Sequence, residues 1–534
     1  MIERVIEHWL AKVNERGYEM ALCQALTAQG HTILRRPAHG GTEHGKDIVS
    51  RDRQNKYHCY QLKTGNLSKS EWRAIRDEVA ELVEVPIQES NVPQNVAFTP
   101  HLVTNGTVTD PVSLEVKARN GHWKRRGFRP LDLILKDNLF RMFLDLQGKF
   151  LPSTPTDFEV FLRLYLGDKT APLNRDEFCL FLSSFLPNKA LRRKAELSRA
   201  LAATAILSSY ILTGYQEHGN HLAIAEGWML VLAHMLRLAE QHQGSQADWM
   251  QSVTLCRDAW EGAVRSLVDE AVRSPNWIEG DPMVDNSVHG IRSVLLLGYL
   301  SCDAIYNRRG ESPPGGEDNI LVKVKENLNG LSRGYWGESA SPFVFAVILF
   351  LWLRGDEELA VKIAADLIGF IARENHPNRR LGVPSPYYEP SRLLAIQFGE
   401  DFFDHRQTFV GRSFTMQWFV EFVARRGRKR LLKTLWADIT HITKACFVPD
   451  ELRDFYFWSV KKGTEVARQW GRPQRWEALV EQSNLNDLPR LLLVEQFPDL
   501  VLPFLLVYPH RATAELMRFV ERRASQNFGL IKAP

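Results

Sequence analysis

The sequence predicts an α/β domain over residues 1–150, with a mixed central sheet flanked by helices, followed by a large all-α region that forms an irregular α-solenoid or helical bundle. Three observations lead there. Up to about residue 150 the apolar pattern keeps switching between the helical repeat and the two-residue repeat of strands. Past the proline-punctuated residues 151–156 nearly every apolar run has helical spacing. The chain has 534 residues, more than one core supports, because single cores stop growing at roughly 250–300 residues. A second break, at Arg309, Gly310, Pro313, Pro314, Gly315 and Gly316, gives three expected domains: 1–150, 151–315 and 316–534.

The elements follow in order. Residues 18–26 place apolar side chains at helical spacing, and Gly30 supplies a cap. Thr32, Ile33 and Leu34 read as a short strand, and His39 to Thr42 as a turn. Asp47, Ile48 and Val49 pair with residues 57–63 in a hairpin across the polar segment 51–56. A helix covers roughly 70–85. Residues 95–98 and 101–103 suggest a buried strand interrupted or ended near Pro100. Residues 131–135 suggest one more, followed by a short amphipathic helix. Farther on, 222–232 and 359–368 are helical, and 343–354 with 356–373 form a helix pair. No fixed repeat of roughly 34 or 40 residues recurs.

The composition, 44% hydrophobic and 24% charged, is that of a folded globular chain rather than a disordered one. Cys23, Cys59, Cys179, Cys256, Cys302 and Cys446 contain no C-x-x-C pair, which speaks against a disulfide framework and a zinc knuckle and fits a reducing cytoplasm. Charges interrupt the first apolar residues, leaving no signal-peptide core. The longest apolar run, 343–353, has 11 residues, short of the ~20 a membrane helix needs. It reads as a buried core helix, and no membrane partner is expected.

Net charge is +4, and residues 1–150 account for all of it, with 22 Lys+Arg against 18 Asp+Glu. The surplus gathers in Lys117, Arg119, Lys124, Arg125, Arg126 and Arg129, a 13-residue span without an acid that suits phosphate tracking or a solvated loop. A second run, Arg425, Arg426, Arg428, Lys429 and Arg430 with Lys433 beyond, suits nucleic acid, an acidic partner, or a solvated turn between helices. Residues 470–476 read as a helix corner, and Trp352, Phe455 and Phe457 as core.

Hydrolysing a phosphodiester requires carboxylates that converge on a divalent metal, with a cation nearby. Asp47 opens one strand; Gln61 and Lys63, two apart on the next, share a face. Pairing through 51–56 sets Asp47 beside them. Glu19, on the helix before the sheet, closes the site from the side.

The order Tyr18-Glu19, Gly45-Lys46-Asp47 and Gln61-Leu62-Lys63, continued by Leu102-Val103-Thr104-Asn105-Gly106, resembles the Mrr-type restriction-endonuclease branch of the PD-(D/E)xK nuclease superfamily over about residues 10–145. That resemblance implies a restriction-endonuclease-like fold and a metal-dependent endonuclease using Mg2+ or Mn2+. It assigns Asp47 as principal metal ligand and Glu19 as a second acid acting directly or through water. Gln61 becomes a neutral amide-oxygen ligand where the wider fold has an acid, and the Leu62 carbonyl completes the shell. Lys63 orients the attacking water or stabilises phosphorane-like charge. DNA is the implied substrate with RNA left open, in a prokaryotic role against foreign DNA. The helical region is left to recognise a target, a trigger or a protein partner, and a homo-oligomer is left open. Gln61 removes one charge relative to the wider fold, which bears on metal affinity and metal number.

Two motifs compete. Gly40 to Lys46 fits the first seven positions of a phosphate-binding P-loop, but Asp47 stands where Ser or Thr should hold magnesium, and a strand follows where a helix must. His39, His44 and His58 lack zinc spacing and read as surface or second-sphere histidines. The alternative to an enzyme is a non-catalytic nucleic-acid-binding or scaffold protein with a nuclease-like domain. The intact set Glu19, Asp47, Gln61 and Lys63 favours the enzyme.

Overall fold

The structure, a computed structural model, describes residues 2–36, 44–147, 155–184, 193–242, 244–273, 286–306, 316–376, 378–379, 382–390, 410–458, 463–468, 476–484 and 488–530. The expected turn at 39–42, residues 151–154 of the linker, the break at 309–315 and residues 470–475 lie outside them. The chain divides into two compact units, Met1–Gly262 and Ala263–Pro534.

The first unit opens with α1 (Ile2–Lys12) and α2 (Glu15–Gln29). Its sheet has five strands in sequence order: β1 (Thr32–Arg35), β2 (Ile48–Arg51), β3 (Tyr57–Lys63), β4 (Phe98–Thr104) and β5 (Asp132–Ile134). The first three run antiparallel and the last three parallel, so the sheet is mixed. The parallel strands are joined by crossover helices, α3 (Lys69–Glu84) and α4 (Asp110–Arg125), as parallel pairing requires.

Local chemistry sets these boundaries. The Asn14 side chain accepts the Gly17 N–H and starts α2, and Gly30, at φ +95°, ends it in the left-handed conformation that glycine tolerates. Ser68 and Glu71 cap α3 reciprocally. In the β2–β3 turn, Asp52 Oδ1 accepts the N–H groups of Gln54 (2.8 Å) and Lys56 (2.9 Å), which fixes the register Ile48 to Tyr60 and Arg51 to Tyr57. β4 runs through Pro100 without a break, contrary to expectation. β5 pairs only with His101 to Val103, so the missing proline N–H falls where β4 has no neighbour on that edge.

One sheet face packs Val49, Tyr57, Cys59 and Leu102 against Trp72, Val79 and Leu82 of α3 and Val112, Val116 and Trp123 of α4. α2 is buried continuously from Gly17 to Leu26. Its outer side is covered chiefly by α8 (Lys194–Glu217) and α5 (Lys136–Gln147); with α6 (Pro155–Leu166), α7 (Arg175–Ser184), α9 (His221–Glu240) and α10 (Met250–Arg273), all these helices begin before residue 262. Trp9 Nε1 donates to Thr213 Oγ1 (2.8 Å) and its ring lies 4.5 Å from that of Tyr210. Gln24 Nε2 donates to the Ser252 carbonyl (2.9 Å). The sheet-bearing unit therefore extends to Gly262, past the expected boundary at 150, because its second helix has two faces to bury.

The second unit is helical in most of its described residues. Ser341–Leu353 is the expected core helix, followed by its partner Glu357–Glu374. It approaches Asn286–Tyr306 so closely that a Cβ on Gly298 would lie 2.6 Å from Phe343 Cδ1. The region is not all-α. Arg412–Ser413, Thr443–Pro449 and Gly463–Arg468 form a three-stranded sheet, with the middle strand parallel to the first and antiparallel to the last.

Among the described residues, α9 and Val288–Tyr306 are long and apolar enough to cross a membrane, but 89% and 72% of their apolar windows are buried inside the protein. That is the behaviour of core helices.

Candidate active site

The β2–β3 hairpin brings Asp47, Gln61, Leu62 and Lys63 together. The Asp47 N–H donates to the Tyr60 carbonyl (2.9 Å), and its carboxylate Oδ2 accepts the Leu62 N–H (2.6 Å). β2 pairing stops at Ile48, so Leu62 projects its main-chain groups past the strand end, where Asp47 meets them. In an antiparallel strand a residue's N–H and C=O face the same edge, so the Leu62 carbonyl also faces the Asp47 edge.

Gln61 is 2% exposed. Its Nε2 donates to Glu78 Oε2 on α3 (2.9 Å), while its Oε1 is buried without a hydrogen-bond partner. Lys63 Nζ donates to the same Glu78 oxygen (2.7 Å). A buried amide oxygen left unmatched loses its hydration for nothing in return, which costs about 1–3 kcal/mol unless something binds there. A carboxylate, an amide oxygen and a main-chain carbonyl are the hard oxygen donors that Mg2+ or Mn2+ takes. Among the described residues no group of three or more His, Cys, Asp and Glu is arranged to hold a metal. The donor set here fits a cation with one carboxylate and two neutral oxygens, not a carboxylate cage.

Glu19 stands differently. It is 6% exposed, and its Oε1 accepts from Arg36 Nε and Nη2, each at 2.9 Å. Arg36 also donates to the Leu255 carbonyl (3.4 Å) and lies 3.8 Å from Asp258. The described contacts of Glu19 thus tie it to Arg36. Glu15, one turn earlier on the same helical face, lies beside Lys63, accepts a main-chain hydrogen bond at Thr64 and sits near Glu78; burial raises its pKa despite the cation. Tyr18, between them, donates its hydroxyl to the Lys63 carbonyl (2.8 Å).

The turn after Lys63 is locked by the end of β4. Thr104 Oγ1 donates to the Gly65 carbonyl (2.6 Å), the Gly65 N–H donates to Asn105 Oδ1 (2.7 Å), and Asn105 Nδ2 donates to the carbonyls of Leu10 (2.8 Å) and Val13 (2.6 Å). A Cβ on Gly106 would lie 2.2 Å from the Gly65 main chain. This is the physical content of the Leu102 to Gly106 segment: it clamps the strand end that carries Lys63.

The sequence pattern that marks Glu19, Asp47, Gln61 and Lys63 does not mark Glu78, Glu15 or Arg36, and gives Tyr18 no role. Glu15 lies one helical turn from Glu19. Glu78 had no local signal, since α3 also exposes Arg73, Arg76, Asp77 and Glu81.

The histidines lie elsewhere. His58 is one strand position out of phase with Gln61 and faces the other side of the sheet. There Asp52, His58, His101 and Asp132 form a chain, with gaps of 3.3, 3.0 and 3.1 Å. His31 bonds Ser50 (3.0 Å), and burial, aided by His58, lowers its pKa to about 4. His44 lies 3.9 Å from Glu81, and His39 is outside the described residues. Lys46 and Asp47 lead into strand β2, where a P-loop would require a helix.

The two basic runs part company. Lys117, Lys124 and Arg125 project from α4 into solvent, whereas Arg119 pairs with Glu115 (3.3 Å), Arg126 with Glu84 (2.8 Å), and Arg129 donates to Thr99 (3.4 Å). The span is helix as far as Arg125, not loop. In the second unit Arg425 and Arg426 turn inward onto Glu521, at 2.5 and 3.0 Å. Arg426 also packs its guanidinium over the rings of Trp352 and Phe422. Arg428 pairs with Glu357 (3.3 Å), Lys429 is 4.0 Å from Glu477, and Arg430 is exposed. Arg425 and Arg426, expected as nucleic-acid contacts, are thus held in ion pairs with Glu521.

No family model, curated protein or solved structure matches the chain.

Proposed function

We propose that the first unit is a metal-dependent endonuclease of the restriction-endonuclease-like, Mrr-type class, cleaving phosphodiester bonds in DNA. The observation that carries this reading is the unpartnered, buried Oε1 of Gln61 beside Asp47 and Lys63 on one hairpin. Asp47, Gln61 Oε1 and the Leu62 carbonyl would hold Mg2+ or Mn2+, which when bound neutralises developing phosphate charge and activates water. Lys63, released from Glu78, would meet the scissile phosphate. Glu15 and Glu19 would serve the site from α2, Glu19 only after leaving Arg36. Lys117, Lys124 and Arg125 are the proposed contacts to the nucleic-acid backbone. The second unit would recognise a target, trigger or protein partner and supply no chemistry of its own. A cytoplasmic defence role against foreign DNA belongs to the same proposal.

The Glu19–Arg36 pair favours a second reading, a nuclease-like domain that binds nucleic acid without cutting it. Substitution separates the two. On the first reading Asp47→Ala and Lys63→Ala each lower metal-dependent cleavage by about 100-fold or more while the chain stays folded. Neutralising Lys117, Lys124 and Arg125 weakens DNA binding across sequences and flattens its salt dependence by about 0.9 per charge. Unchanged cleavage by a folded Asp47→Ala protein removes the site assignment.

A further inference from the structure

We infer that Glu78 is the positioning residue that makes glutamine serviceable at position 61, by fixing its amide so that Oε1, and not Nε2, is presented to the metal. The inference rests on the nuclease reading above. An amide side chain turned by 180° has almost the same shape but exchanges an acceptor for two donors, and donors repel a cation. A glutamate at position 61 would offer two equivalent oxygens and need no such control. Glutamine does need it.

Glu78 supplies that control. An ionised carboxylate only accepts hydrogen bonds, so the Gln61 group 2.9 Å from Glu78 Oε2 has to be Nε2, which leaves Oε1 on the inner side. The same Glu78 oxygen takes Lys63 Nζ at 2.7 Å, so one carboxylate sets two neighbours on β3. It also places a negative charge next to the position where the wider fold carries one. Its helix is a firm support: Trp72, Val79 and Leu82 bury α3 against the sheet, and the Ser68–Glu71 box fixes its start. Glu78 itself keeps 52% of its side chain exposed, so its replacement leaves that packing in place.

The test is Mn2+ binding to the full-length protein without nucleic acid, followed by titration calorimetry, for wild type, Glu78→Ala, Glu78→Asp, Gln61→Glu, Q61E/E78A and Q61E/E78Q, each checked for native circular dichroism. Loss of the orienting group should weaken Mn2+ binding by about 10–100-fold in Glu78→Ala, as outer-sphere partners of metal ligands do. Glu78→Asp keeps the charge but shortens the arm, and should bind nearly as weakly. Both double variants should return to within a few-fold of wild type, because a carboxylate at 61 no longer needs orienting. Wild-type affinity in Glu78→Ala or Glu78→Asp overturns the inference. So does a loss from Glu78→Ala that is equal in the wild-type and Gln61→Glu backgrounds. A wild-type protein that binds no Mn2+ and cuts no DNA instead overturns the nuclease reading itself.

Discussion

Glu19 owes its place to Arg36, a residue that carries no signal in the local sequence pattern. A buried carboxylate whose Oε1 takes two N–H groups of one guanidinium depends heavily on that partner. Removing Arg36 would leave Glu19 buried and uncompensated, so Arg36→Met should cost about 3–5 kcal/mol of stability. Adding Glu19→Gln should recover most of it, and equal losses in the single and double variants, measured by urea unfolding, would contradict the pairing. Histidine burial makes a second prediction at this scale. Burial lowers the His31 pKa to about 4 and, with Arg237 nearby, that of His234 to about 3. The unfolded chain protonates near 6.5. Below that pH it therefore binds protons that the folded chain refuses, and stability, full above about 6.5, falls as pH drops towards 4. His31→Asn, whose amide can still bond Ser50, should shrink the fall in melting temperature between pH 7 and pH 5; an undiminished fall would exclude His31 as a source.

At the scale of elements, the β2–β3 hairpin was legible because alternation, a polar turn and strand length agreed, and Asp47, Gln61 and Lys63 came with it. The Leu102 to Gly106 segment was legible only as a pattern. Its reason is tertiary, a main-chain approach between two turns distant in sequence. Gly106→Ala forces a Cβ into the Gly65 main chain and should cost about 1–3 kcal/mol, with metal-dependent cleavage reduced alongside because Lys63 sits on the displaced strand end. A variant with wild-type melting temperature and rate would show that the clamp is slack. The strand Thr443–Pro449 escaped notice because it is set among helices, and its parallel partner Arg412–Ser413 is only two residues long. Nothing in periodicity marks so small a sheet. Glu78 escaped because an exposed helical face full of charges does not say which one meets another element.

At the scale of the whole molecule, periodicity read the first region as α/β and the second as mainly helical, but neither the small sheet in the second nor where the first unit ends. The change of pattern near 150 is real, yet Trp9, Gly17 and Gln24 all make contacts beyond it, and a boundary drawn from periodicity cannot see them. A fragment ending at 150 should therefore be insoluble or partly unfolded, whereas one ending at Arg273, which keeps α10 whole, should melt cooperatively. A cooperative 1–150 fragment would restore the shorter domain. The basic run at 425–430 shows the same limit, since charge counting cannot tell an arginine in solvent from one held by a glutamate about a hundred residues away.

The most direct measurement is the rate at which the purified full-length protein nicks or linearises plasmid DNA with Mg2+, with Mn2+, and with chelator in excess. Linear duplex and single strands serve as companion substrates. A metal-dependent nuclease gives cleavage that stops on chelation, resumes when metal is restored, and falls by about 100-fold or more in Asp47→Ala. Cleavage that persists in chelator, or no cleavage of any substrate by a folded protein with either metal, would contradict the nuclease reading.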